Sequence, residues 1–162
     1  MFKSYNREKA LEYARRWAFD RNPAFYNFDS LGGDCTNFVS QCIFAGASVM
    51  NYTPVLGWFY NSLNNRAPAW TGVQFLINFL KTNKSTGPFA KQTNYDNVSI
   101  GDVIFLGDNN GKFYHSLFVS DIFNGKIFVA SHTIDSFNRN LDSYSIQKTQ
   151  FFHILGVNIN DN

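Results

Sequence analysis

The stretch "GGDCTNFVSQCIFAG", residues 32–46, holds both cysteines of the chain, and its reading decides the architecture. Cys35, Phe38, Val39, Cys42 and Ile43 follow the i, i+3, i+4, i+7, i+8 spacing of one helical face. This predicts a helix over 35–45, with Asp34 as N-cap and Gly46 as stop. Cys35 then stands where unpaired N–H groups and the positive dipole end of a helix favour an anion. Thiolate is the attacking form of cysteine, so the placement suits a nucleophile. The Cys35 amide is also placed to donate to an oxyanion. Gly32 and Gly33 permit tight backbone geometry and substrate approach. The charge of Asp34 opposes a thiolate unless capping occupies it, and a nearby imidazolium would have to outweigh it. A buried, inert cysteine satisfies the same spacing. Cys42, mid-helix among apolar residues, is read that way.

Upstream of this segment, Ser4 caps a helix running to about residue 19, with Ala10, Ala14, Trp17 and Ala18 on one face. Asn22-Pro23 ends it. Downstream, residues 47–70 read as irregular and carry Trp58, Phe59, Tyr60 and Trp70. Thr71-x-x-Gln74 is a capping box opening a third helix, whose stripe is Val73, Leu76, Ile77 and Leu80. The second half changes period. "GDVIFL" (101–106), "FYHSLFVSDI" (113–122), "KIFVASHT" (126–133) and "FFHILGV" (151–157) read as strands. Helices followed by an antiparallel sheet make the class α+β, one domain over 1–162.

Composition narrows the function classes. Of 162 residues, 44% are hydrophobic and 16% charged, which predicts a packed globule. A net charge of +2 is too balanced to argue for nucleic acid or an anionic membrane. Two cysteines with six residues between them make neither a disulfide scaffold nor a zinc knuckle. No run of about 18 apolar residues predicts a membrane span. The charged N-terminus lacks the apolar core of a secretory signal, so the expected location is the cytoplasm; a chain trimmed of its leader reads the same way.

Three histidines occur: His115, His132 and His153. Asn124-Gly125 is a two-residue hairpin signal, so Phe123 pairs with Lys126. Counting back from that turn puts His132 opposite Leu117, on the face that carries His115. The two imidazoles become diagonal neighbours, with backbones roughly 7–8 Å apart. A catalytic base needs a partner to set its tautomer, and a second histidine can serve. Two strand histidines on a solvated face give the same pattern. His153 finds no comparable partner and reads as an ordinary strand residue.

"GGDCTNFVSQCIFAG" followed by "GDVIFL", "HSLFVSDI" and "FVASHT" resembles the bacterial putative amidase domain family, which is related to NlpC-type and papain-like cysteine peptidases. The resemblance runs from "YNREKALEYARRWA" to "FFHILGV". It implies a papain-like fold, with helices packed on an antiparallel sheet and the active site at their seam. It implies Cys35 as nucleophile, His115 as general base and acid, and His132 in the third, orienting position. Papain-like relatives often carry asparagine or aspartate there, and Asp135 and Asn138 lie close by. Those relatives use an upstream glutamine as second oxyanion donor; none precedes Cys35, and Tyr26, Asn27 or Asp34 are the candidates.

The implied chemistry is acyl transfer through a thioester, without cofactor. With water as acceptor the protein is an amidase or peptidase. With an amine it is an amide synthase, taking its acyl group from an amide, a peptide or a carrier-protein thioester. Trp58, Tyr60 and Trp70 could line a dry groove for such a group; core packing is the plainer role for rings. A catalytically inactive binding module is the alternative from another class. A zinc site of Cys35 with His115 and His132 is a weaker option, for which the family offers no precedent.

Overall fold

A computed structural model describes residues 1–145 and 148–160. In chain order the elements are β1 (Phe2–Lys3), α1 (Arg7–Trp17), α2 (Cys35–Ala47), β2 (Tyr60–Ser62), β3 (Asn65–Arg66), α3 (Pro68–Thr71), α4 (Val73–Thr82), β4 (Gly87–Thr93), β5 (Val103–Gly107), β6 (Phe113–Phe123), β7 (Lys126–Ser131), β8 (Ser136–Asn140) and β9 (Lys148–Asn158). Helices in the first half and an antiparallel sheet in the second make the α+β class expected from the sequence. Among the described residues, no helix is long and apolar enough to cross a membrane.

The sheet runs β9-β5-β6-β7-β8, with β4 along one edge of β9 and β1 beside β5 on the other. Alternation along β5 builds two layers. Val103 and Phe105 join the helix-side core with Phe38, Val39, Cys42 and Ile43 of α2. Ile104 and Leu106 join a smaller core with Leu117, Val119, Ile127 and Val129 on the other side. Phe38, Phe105, Phe118 and Phe152 are fully buried, each stabilising by about 1.5–3 kcal/mol through loss of water contact.

Helix boundaries depart from expectation in ways that packing explains. The α1 cap is Asn6, whose side chain accepts from the Lys9 amide at 3.0 Å; the expected cap, Ser4, lies outside the helix. Gly46 does not stop α2, which runs on to Ala47 and ends at Ser48 in the left-handed region. Gly46 instead allows close approach: a Cβ there would lie 2.5 Å from the Tyr5 ring and 2.6 Å from the Asn6 carbonyl oxygen. The expected Thr71/Gln74 capping box does not form. Thr71 ends α3 and accepts from Arg66, Gln74 donates to Asn78, and Gly72 precedes α4. Leu76, Ile77 and Leu80 are buried as expected, and Val73 packs partly buried beside them. Strands β4 and β8 were not expected; "GPFAKQT" and "SFNRN" lack a clean two-residue period and gain their pairing from β9 and β7.

The β6–β7 hairpin turns at Asn124-Gly125, with φ of 50° and 70°, both in the region a tight hairpin requires. Phe123 faces Lys126, Ile122 faces Ile127 and Asp121 faces Phe128, as the turn predicts. A bulge at Ser120 then shifts the register by one: Val119 faces Val129 and Phe118 faces Ala130. Because side chains alternate, a one-residue shift exchanges the faces of everything beyond it. Continued outward, the shifted register sets Ser131, rather than His132, opposite Leu117 and diagonal to His115.

Candidate active site

Cys35 is the first residue of α2 and is 8% exposed. The hydroxyls of Thr36 and Ser116 lie 2.9 Å apart, which holds the helix start against the β6 residue next to His115. Cys35 and His115 line one cavity of about 360 Å³, together with Gly33, Ile134, Arg139 and Tyr144. That is within the size range of small-molecule sites. Recesses of similar volume beside Pro68 and beside Asn51 hold neither a cysteine nor a histidine.

The ring of His115 is oriented by Ser131. Ser131 Oγ donates its proton to the His132 carbonyl oxygen at 2.6 Å. It can therefore only accept from His115 Nε2, 3.1 Å away. In the neutral ring this places the proton on Nε2 and leaves a lone pair on Nδ1.

His132 does not take the orienting position expected of it. It is 1% exposed and does not line the cavity. Its Nε2 faces the Trp17 carbonyl oxygen at 2.8 Å, its Nδ1 meets Asp34 Oδ2 at 2.5 Å, and its ring stacks on Phe38 with centroids 4.1 Å apart. With both nitrogens committed, His132 cannot join Cys35 and His115 as a metal ligand. Asp135 and Asn138 do not contact His115 either. Asp135 is paired with Arg21 at 2.9 Å, and Asn138 accepts from Ser120 Oγ at 2.7 Å.

Asp34 occupies the N-cap position but makes no cap hydrogen bond. Its Oδ1 accepts from the Phe28 amide at 2.8 Å and from Asn37 Nδ2 at 2.9 Å, while Oδ2 faces His132. Its charge is thus occupied by a loop amide, a side-chain amide and an imidazole, and the first-turn amides of α2 are left uncapped by it. Asp34 is an acceptor here, not an oxyanion donor. Tyr26 and Asn27, the other expected donors, do not line the cavity: the Tyr26 amide donates to Tyr60 Oη, and Asn27 Oδ1 accepts from the Asp29 amide.

The expected aromatic groove is corrected as well. Trp58 and Trp70 are fully buried, pack in a tilted pair with centroids 4.8 Å apart, and donate their indole N–H groups to Ser40 and Asn37. Tyr60 packs beside them against Phe25. None of the three borders the Cys35 cavity. His153 also has a partner the sequence did not suggest: its Nδ1 lies 2.7 Å from buried Asp102, which pairs with Arg7 at 2.7 Å, remote from Cys35 in the fold.

Burial pushes the Cys35 thiol above its ordinary value. Hydrogen bonding to the Ser116 backbone and to Thr36 pulls it back, and the Asp34 charge adds to the rise. Burial, helped by the Arg139 charge, lowers His115 to about 4. At neutral pH Cys35 therefore rests as a thiol and His115 as a neutral imidazole lining the same cavity. Sequence reasoning missed Ser131, Arg139 and Tyr144. Their approach depends on the hairpin bulge and on β8, and no local spacing signals either.

A family profile described as "Putative amidase domain" matches residues 4–155. The chain is also similar to "Uncharacterized protein YhbB" of Bacillus subtilis (strain 168), 32% identical over 120 residues, which is 71% of this chain and 37% of that protein. It thus spans little more than a third of that relative's length. No solved structure matches the chain. With the profile running from before α1 into β9 and the residues lining the Cys35 cavity within it, the chain belongs to the "Putative amidase domain" family.

Proposed function

We propose that the protein hydrolyses an amide or peptide bond, with Cys35 as nucleophile and His115 as general base and acid. The family description names amidase activity in general. The cysteine mechanism rests on one observation: a cysteine at a helix start and a histidine with a fixed tautomer share one cavity. A nucleophile on a helix packed against the strand that carries its base is also what supports a papain-like arrangement.

The chemistry starts from the neutral pair. His115 Nδ1 takes the Sγ proton as the sulfur attacks the carbonyl carbon, and the carbonyl electrons move to oxygen. The oxyanion is stabilised by the Cys35 amide, with Thr36 and Asn37 contributing the dipole of the same helix turn. Collapse re-forms the carbonyl and expels the amine, which takes the proton from His115 Nδ1. Water then gives a proton to Nδ1 and adds to the thioester, and the thiol leaves reprotonated. Base and acid assistance of this kind contributes about 10²–10⁴-fold. Ser131 holds the Nε2 proton throughout, so Nδ1 is the nitrogen that gains and loses the transferred proton.

An amine in place of water would make the protein an amide synthase. One feature that favoured that reading, an aromatic groove, is core packing in the fold, and water is the acceptor proposed. The test is incubation with amide and thioester donors, with and without a small diamine, read by mass spectrometry of protein and products. Hydrolysed product and an acyl adduct lost in Cys35→Ala are expected. A conjugated product selects the synthase, and no adduct with unaltered donors selects an inactive binding module.

A further inference from the structure

The cavity beside Cys35 carries one fixed charge. Arg139 lines it, and no aspartate or glutamate does. The arginine is held ready. Its guanidinium lies over the Tyr144 ring, 3.7 Å from the centroid, and Nε donates to Ser143 Oγ at 2.8 Å. Nη2 reaches the Ser143 carbonyl oxygen only at 3.4 Å. Among the described residues, Arg139 has no carboxylate partner, whereas Arg7 and Arg21 are paired with Asp102 and with Asp29 and Asp135. Stacking and the bonds from Nε and Nη2 hold that edge of the fork on Ser143, so a ligand would meet the other edge, Nη1 with the second Nη2 hydrogen. A planar guanidinium so placed matches a carboxylate with two parallel N–H···O bonds. One cation also balances the single charge of a carboxylate and would leave a phosphate dianion half compensated.

We propose that Arg139 binds a substrate carboxylate, so that the preferred substrates are acyl amides bearing a carboxylate close to the scissile carbonyl, with Ile134 and Tyr144 flanking the chain between. The proposal rests on the reading of Cys35 as nucleophile. It makes the site selective for anionic amides over neutral ones of the same size, because the neutral analogue leaves the guanidinium in the cavity without a counter-charge.

Two alkylating reagents of nearly equal size test this. Second-order rate constants for modification of Cys35 by iodoacetate and by iodoacetamide are measured by mass spectrometry on the full chain. Their ratio cancels the thiolate fraction and reports the charge preference of the cavity. Arg139→Gln is expected to lower the iodoacetate-to-iodoacetamide ratio about tenfold, the size of one charge-assisted hydrogen bond. Arg139→Lys should retain part of the preference, and rising salt should erode it. A ratio unchanged in Arg139→Gln, with iodoacetamide still modifying Cys35, overturns the carboxylate site and leaves the nucleophile intact. If neither reagent modifies Cys35, the nucleophile reading falls, and N-acetylglycine binding decides the role of Arg139. Saturable NMR shifts at His115 and Tyr144 that vanish in Arg139→Gln support it; no shifts in the wild type refute it.

Discussion

The Ser131 hydroxyl, 3.1 Å from His115 Nε2, is fixed as an acceptor because it already donates to the His132 carbonyl oxygen at 2.6 Å. One serine thereby sets which nitrogen of His115 is basic. Ser131→Ala is expected to lower kcat about tenfold with KM little changed, the cost of one lost neutral hydrogen bond that orients a base. Steady-state kinetics on the amide found by the donor screen check this. An unchanged kcat would remove Ser131 from the positioning role.

Asp34 and His132 form a buried pair behind the cavity, and removing one partner strands the other. Asp34→Ala should destabilise the fold by about 3–5 kcal/mol, the usual penalty for breaking such a pair. Urea unfolding followed by far-UV circular dichroism measures it. A loss below 1 kcal/mol would mean that the pair does little for stability.

His115 should impose a pH dependence on stability. Its pKa falls from 6.5 to about 4 in the folded chain. Between those values the unfolded chain holds the extra proton, so stability rises with pH across that window and this contribution is flat on either side. The full difference corresponds to about 3 kcal/mol. Unfolding free energies from pH 4 to 7 should show a shallower slope in His115→Gln than in the wild type; parallel slopes would contradict the lowered value.

Cys35 should react selectively but without a low-pH plateau. It is 8% exposed and Cys42 is 0% exposed, so iodoacetamide should modify Cys35 in the native protein and both residues once it is unfolded. Because burial raises the Cys35 thiol, its alkylation rate should keep climbing as pH rises toward and past 9. A rate that levels off near pH 5 would instead indicate a resting ion pair with His115.

Gly46 sits where α2 meets the start of the chain. Gly46→Ala would push a methyl group to 2.5 Å from the Tyr5 ring. A loss of about 1–3 kcal/mol is expected from the forced displacement. A thermal melt no lower than that of the wild type would show that both the Tyr5 ring and the Asn6 carbonyl yield freely.

The helix start at Cys35, the hairpin at Asn124-Gly125 and the division into helices and then strands were legible in the chain, because each follows from local spacing or from turn residues with a strong conformational preference. The sequence also singled out Cys35 and His115, and both border one cavity in the fold. The tertiary structure alone decided who stands next to His115. One extra residue at Ser120 reverses the faces beyond it, bringing Ser131 to the imidazole and sending His132 inward to Asp34, and no local pattern announces a bulge. Packing likewise claimed Trp58 and Trp70 for the core and brought Arg139, more than a hundred residues from Cys35, to the same cavity. Contacts at that separation are set by how layers dock, which periodicity along a single segment does not encode.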